Sequence, residues 1–314
     1  MPLPLDAGRS SSRRDFLRSV ALAGGAVAGG LYLPGFGHAA LPVKRNGKSH
    51  IKLSLAAYSF RQELMGKTAK KKMTLDDFIR LCADLNLDAC ELTSYYFPKN
   101  FDEAYLLHIK ELTFRLGLDI SGTAIANDFC LPPGAKRDEA LAHTRKWIDY
   151  SAIMGAPVIR IFAGHVPKGD TEAAAIARCA EGINESVAYA AKKGVILALE
   201  DHHGITGSAD QMLKIIALVN ESPFFGVNFD TGNFESADPY VDMAKIAPYA
   251  VTVQVKPVVL VNGGPKTTPA DLPRVFQILR DAQYRGYVAL EYEGENPETE
   301  VPKLIEKLRP LARG

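Results

Sequence analysis

From residue 51 onward the chain alternates between two hydrophobic periods. Short runs that are apolar throughout and rich in β-branched residues are separated by longer segments in which apolar positions recur every three or four residues. The first kind predicts buried strands and the second amphipathic helices. Strands are expected at 51–58, 88–93, 119–125, 157–163, 195–200, 225–230, 251–256 and 287–293. Helices are expected near 74–86, 101–117, 138–155, 171–193, 208–220, 239–248, 269–283 and 298–310. Thr74 three residues ahead of Asp77, and Ser208 three ahead of Gln211, have the form of helix starts. Gly117, Gly155, Gly194 and Gly286 stand where a helix should stop before the next strand. The strand runs are continuously apolar, which fits parallel strands covered by helices on their outer face. Eight βα units in about 260 residues predict a single-domain (β/α)8 barrel. A doubly wound sheet is the competitor. The unit count speaks against it, as does the lack of a G-x-G-x-x-G turn after the first strand.

The first forty residues do not belong to this pattern. Arg13-Arg14 is followed by Asp15-Phe16-Leu17-Arg18 and then by an apolar stretch rich in Ala and Gly from Val20 to Leu33. Gly37-His38-Ala39 supplies small residues for a cleavage site. The order of charged, apolar and small segments predicts a twin-arginine export signal. At about 14 residues the apolar run falls short of the ~20 that a membrane span needs, so no stable anchor is expected after cleavage. Residues 41–50 read as a polar lead-in. The predicted location is therefore periplasmic or extracellular.

The composition is near the average for soluble globular proteins. Of 314 residues, 47% are hydrophobic and 23% charged, which excludes a disordered, collagen-like or polytopic membrane chain. Lys plus Arg number 37 against 36 for Asp plus Glu, so no basic surplus points to nucleic acid. The four cysteines are scattered, with no C-x-x-C pair and no zinc-ribbon spacing.

In a (β/α)8 barrel the chemistry sits at the C-terminal ends of the strands, and four consecutive strands end in reactive side chains. The fifth ends in Glu200, followed by Asp201-His202-His203-Gly204. The sixth ends in Asp230, within Asn228-Phe229-Asp230-Thr231-Gly232-Asn233. The seventh carries Gln254 and Lys256, and the eighth Glu291 and Glu293. Carboxylates converging at one mouth repel one another unless a cation intervenes. Glu200, Asp230, Gln254 and Glu291 are accordingly read as an all-oxygen shell for a divalent metal. Such a shell suits Mn or Mg best, with Co, Ca or Zn as alternatives. His165, His202, His203, Asn233, Lys256 and Glu293 are candidate substrate contacts. Arg160, lying in an apolar strand, needs a partner that a carboxylate of the site would supply. Glu91, near the end of the second strand, is placed at the mouth or against Arg160.

These segments bear a resemblance to a known family. LALE at 197–200, FDTGN at 229–233, VQVK at 253–256 and GYVALEYEG at 286–294 resemble the xylose-isomerase-like barrel superfamily, often called sugar phosphate isomerases/epimerases. The resemblance covers about residues 51–310. It implies a divalent metal on Glu200, Asp230, Gln254 and Glu291, with Glu200 and Glu291 doubling as the proton-transfer groups. This sequence departs from the family at Gln254, where the family commonly has histidine. An amide oxygen in that place should weaken the site and favour harder ions.

The expected function is a metal-dependent sugar isomerase or epimerase that abstracts a proton next to a carbonyl. Export favours an unphosphorylated sugar or keto-sugar as substrate. A 3-keto-glycoside lyase or hydratase using the same enolate chemistry is the alternative enzyme. A noncatalytic sugar-binding barrel is the alternative of another class, and the endonuclease branch of the superfamily is disfavoured by the few histidines and neutral charge. The expected partner is a small carbohydrate, with no nucleic acid, and the chain is a candidate homo-oligomer.

Overall fold

In this computed structural model, residues 39–68 and 72–314 are described. The predicted export segment lies outside the described residues, except for its last two positions. Eight parallel strands close into a barrel. They are β1 (His50–Ala56), β2 (Ala89–Thr93), β3 (Asp119–Ala124), β4 (Val158–Ile161), β5 (Ile196–Glu200), β6 (Phe225–Asp230), β7 (Ala250–Val255) and β10 (Arg285–Leu290). Between β7 and β10 the chain adds a small antiparallel hairpin, β8 (Val258–Leu260) and β9 (Thr267–Pro269).

Helices cover the outside at the positions the periodicity predicts, from Leu75–Asp84 through Pro297–Arg313. Thr74 and Asp77 form a reciprocal capping box, and Ser208 accepts from the Gln211 N–H. Gly155 and Gly194 end their helices in the left-handed conformation that glycine adopts without cost. The strand interiors are buried on both sides, with Leu55, Leu92, Ile159, Leu199, Val227, Val253 and Val288 inaccessible or nearly so. No helix among the described residues is long and apolar enough to cross a membrane.

The structure departs from the expectations at several places, one being Gly286, which lies inside β10 while Gln283 takes the positive φ that follows the preceding helix. The eighth barrel strand stops at Leu290, not at residue 293. Glu291 still donates its N–H to the Val255 carbonyl at 2.9 Å. Ser59 then turns the chain away by donating to Leu290 O and accepting from Tyr292 N. Residues 41–50, the polar lead-in, are tied to the barrel. Val43 N bonds Pro248 O, and Arg45 reaches carbonyls at the start of β7 and ahead of β10. The β8–β9 hairpin was not expected, because three-residue strands leave no readable period.

Candidate functional site

Strand alternation builds the site. Asn228 and Asp230 lie two residues apart on β6, as do Gln254 and Lys256 at the end of β7, so each pair faces one side. The register sets Asp230 beside Gln254 and Glu200 beside Asn228. The barrel mouth thus collects Glu91, Arg160, Glu200, Asn228, Asp230, Gln254, Lys256 and Glu291, every one of them buried.

Their contacts form one connected network. Arg160 pairs with Glu200 at 2.6 Å and donates to Ile125 O at 2.8 Å. Breaking such a buried pair costs about 3–5 kcal/mol, because the remaining charge is left without a partner. Asn233 donates to Glu200 at 3.0 Å and accepts from Lys256 at 2.9 Å. The Lys256 ammonium lies 3.3 Å from Asp230, 3.6 Å from Glu291 and 2.7 Å from Glu293. Gln254 donates through its amide nitrogen to Glu91 at 2.9 Å and Glu291 at 2.6 Å, and its oxygen accepts from Asn228.

Burial and charge set the protonation of the network. Burial pushes Glu91 and Asp230 up to about 7, against the pull of Arg160 on the first and Lys256 on the second. Burial also raises Glu200, which Arg160 and Lys256 moderate, and raises Glu291 well above the ordinary range. For Lys256 burial acts downward, but Asp230, Glu291, Glu293 and Glu200 outweigh it and hold the ammonium charged. Glu293, also buried in part, is drawn below its ordinary value by Lys256. The carboxyl groups at the mouth therefore outnumber the cations that face them, and burial favours the protonated form of the innermost ones.

A cavity of about 170 Å³ opens over this network, lined by Arg160, Glu200, His202, Asn233, Lys256 and Glu291 together with Tyr58, Tyr95, Phe162, His203 and Glu293. That is below the ~300 Å³ typical of pockets for drug-sized ligands, and it suits a small polar molecule. The candidates fall into three groups. Glu200, Glu291, Arg160, His202, His203, Asn233, Lys256 and Glu293 all reach the cavity wall. Asp230, Gln254 and Glu91 stand behind it as buried supports. His165 lies on the exposed loop after β4, outside the wall. The His202 ring packs against Phe162 at a 44° tilt with centroids 4.3 Å apart, and burial lowers its pKa to about 4, so it is a neutral imidazole at pH 7.

Beyond the aromatic wall residues Tyr58, Tyr95 and Phe162, two acidic residues of the site region escaped sequence reading. Asp201, fully buried, accepts from Asp230 N at 2.9 Å and fixes the end of β6. Glu235 accepts from His203 Nδ1 at 2.8 Å. Asp201 had a signal in its place directly after Glu200, whereas Glu235 had none, because its partner lies 32 residues away.

The donor set matches a divalent metal in chemistry. Glu200, Asp230 and Glu291 are hard oxygen donors, and buried Asp230 Oδ2 accepts no hydrogen bond among the described residues, facing only the Lys256 ammonium at 3.3 Å. Their placement departs from a preformed shell. Lys256 stands between Asp230 and Glu291, and among the described residues no three His, Cys, Asp or Glu groups converge on one point.

A closed parallel barrel with carboxylates, an amide and cations gathered at its C-terminal mouth defines the class of (β/α)8 enzyme-type barrels. The chain belongs to the xylose isomerase-like TIM barrel family, whose model matches residues 79–311. Among solved structures it is similar to D-psicose 3-epimerase with D-tagatose from Clostridium cellulolyticum, with TM-score 0.65 and 16% identity over 84% of this chain and 92% of that one. It is also similar to 3-keto-D-glucoside 4-epimerase from E. coli, with TM-score 0.63 and 15% identity over 83% of this chain and 99% of that one. A probable 3-DHS dehydratase from Bacillus anthracis shares the fold at TM-score 0.63 and 16% identity, over 82% and 98% of the two chains. No curated protein matches the chain.

Proposed function

We propose that this protein is a sugar isomerase or epimerase that acts on an unphosphorylated sugar or keto-sugar through proton abstraction next to a carbonyl. One observation carries the reading. Glu200 and Glu291, from different parts of the barrel wall, line the same small cavity, and burial raises both above the ordinary carboxyl value, which favours holding a proton. One carboxylate takes the carbon-bound proton and the other is placed to return one. Return to the other face gives epimerisation, and return to the adjacent carbon gives isomerisation.

Other residues hold the substrate and the groups in place. Arg160 and Asn233 fix the Glu200 carboxylate, and Gln254 and Lys256 hold Glu291. Phe162 and Tyr95 supply apolar wall for the carbon face of a sugar ring. Glu200, Asp230 and Glu291 would hold a divalent metal, Mn or Mg by donor type, with Gln254 contributing once its amide oxygen replaces its nitrogen toward Glu291. Such an ion supplies Lewis-acid stabilisation of negative charge on sugar oxygens. The twin-arginine pattern supports export, which is the ground for an unphosphorylated substrate.

The test is deuterium uptake from D₂O into 2-ketohexoses, with and without added Mn²⁺ and alongside metal analysis of the purified protein. The parent should exchange the proton next to the carbonyl. Glu200→Gln and Glu291→Gln should each lower exchange by about 10²–10⁴-fold while leaving the circular dichroism spectrum unchanged. Variants with exchange within about threefold of the parent would remove these carboxyls from the mechanism. A noncatalytic binder would leave every carbon-bound proton in place.

A further inference from the structure

We propose that His203, held by Glu235, is the proton carrier for the substrate's oxygens, so that the site moves a carbonyl between neighbouring carbons and does not only invert one. The inference rests on the enolising reading above and deepens it.

Three observations converge on the pair. His203 lines the cavity, and its Nδ1 is engaged by Glu235 Oε1 at 2.8 Å, which leaves Nε2 as the nitrogen available to a substrate. The backbone at His203 has φ 54° and ψ 178°, a conformation essentially confined to glycine. A histidine kept there is over-determined by its surroundings. Glu235, in turn, is fixed from three sides. Its N–H donates to Gly207 O at 2.7 Å. A Cβ at Gly207 would collide with its carboxylate, and one at Gly263 would collide with its backbone. Among the described residues, the Glu235 carboxylate has no hydrogen-bond partner other than His203. The carboxylate–imidazole arrangement selects the tautomer that keeps Nε2 free and stabilises the imidazolium once a proton arrives.

The chemistry assigns the pair its task. Shifting a carbonyl to the next carbon requires one proton to move between carbons and another between oxygens. A carboxyl of the site, Glu200 or Glu291, takes the carbon proton. The C–H electron pair becomes the C=C bond of an enediolate, and the carbonyl π pair moves onto its oxygen. Nε2 of His203 then accepts the neighbouring hydroxyl proton, and the ring returns that proton to the original carbonyl oxygen. The second oxygen forms the new C=O, and the C=C pair takes the proton back from the carboxyl at the adjacent carbon. No oxidant or further reactant is needed. Inversion at a single carbon needs only the carbon proton, so the dyad has no part in it. Across the cavity the charged groups facing the imidazole are Arg160, Glu200, Lys256, Glu291 and Glu293, with His202 beside it at 4.9 Å between ring centroids.

The experiment follows 2-ketohexoses, D-fructose and D-tagatose among them, in D₂O by NMR. It measures two rates on the full-length protein: deuterium uptake next to the carbonyl, and appearance of the corresponding aldose. The parent should show both. In His203→Gln, aldose formation should fall by at least about tenfold more than deuterium uptake does. Glu235→Gln, which acts through the imidazole, should lower kcat for aldose formation about tenfold at unchanged KM, and Glu235→Asp should recover part of it. A parent that exchanges but forms no aldose overturns the proposal and leaves the enolising reading intact. The proposal also fails if both rates fall together in His203→Gln, or if neither does. A parent that exchanges nothing overturns the enolising reading itself.

Discussion

Lys256 is the residue on which the charge balance of the mouth turns. Its ammonium stands between Asp230, Glu291 and Glu293, groups that would otherwise face one another in a buried space. Lys256→Met should therefore destabilise the metal-free protein by about 3–5 kcal/mol, the cost of leaving buried charge without its partner. If a dication and the ammonium serve the same carboxylates, Mn²⁺ should raise the melting temperature of Lys256→Met more than that of the parent. An equal response in thermal scans would show that the ion and the ammonium do not compete. Residue identity made part of this readable in the sequence. An arginine in an apolar strand demanded a carboxylate, and Arg160 has Glu200. Gln254 was legible as a member of the site, but its orientation was not, because an amide offers a donor and an acceptor and only its neighbours choose between them. Here Asn228 takes the oxygen and two carboxyls take the nitrogen. His203 is the converse case. Its place in the cavity followed from its position after Glu200, but the strain it carries, of order 1–3 kcal/mol, and its bond to Glu235 arise only when two loops meet.

At the scale of elements, each barrel strand falls on a run the sequence marked, although β1, β2, β3 and β7 carry buried polar residues such as Ser54, Glu91, Thr123 and Thr252 among their apolar ones. The ends were less legible, and the eighth strand shows why. VALEYE continues a β pattern past Leu290, but a strand needs a partner, and the Ser59 hydroxyl takes over Leu290 O and Tyr292 N. The turn that results separates the environments of Glu291 and Glu293. Glu291 stays buried against Gln254, while Glu293 moves out to a half-exposed ion pair with Lys256. Ser59→Ala leaves a backbone donor and a carbonyl unsatisfied in a nearly inaccessible place, at a cost of about 1–3 kcal/mol. It should also loosen the segment carrying Glu291, so kcat is expected to fall several-fold with little change in KM. Chemical denaturation and steady-state kinetics check the two effects separately. A variant with lowered stability and unaltered kcat would mean that the turn does not position Glu291.

The whole molecule divides its labour between two faces, as barrels of this kind do: chemistry at the C-terminal ends of the strands and stability at the other. Residues 40–50 belong to the second face. Ala40 N bonds Val219 O, Ser49 Oγ and His50 N both reach Tyr284 O, and Arg45 donates to Pro248, Ala250 and Ala282 while stacking on Tyr284 at 5.4 Å. Composition hid this strap, because polar residues near a chain terminus look the same whether they wander in solvent or cap carbonyls. Three carbonyls at the start of β7 and ahead of β10 depend on one guanidinium, and a charged donor contributes about 1.5–3 kcal/mol to each such bond at best. Arg45→Met keeps the apolar stem over Tyr284 and removes only the donors. Because water can reach part of this face, the expected loss is about 2–4 kcal/mol, or a fall in melting temperature of roughly 2–4 °C for each kcal/mol. Its contacts lie at the opposite end of β7 from Gln254 and Lys256, so kcat and KM should stay at parent values at temperatures where the variant is folded. Activity lost at unchanged stability would mean that the two faces of this barrel are coupled, and that the strap serves the site as well as the fold.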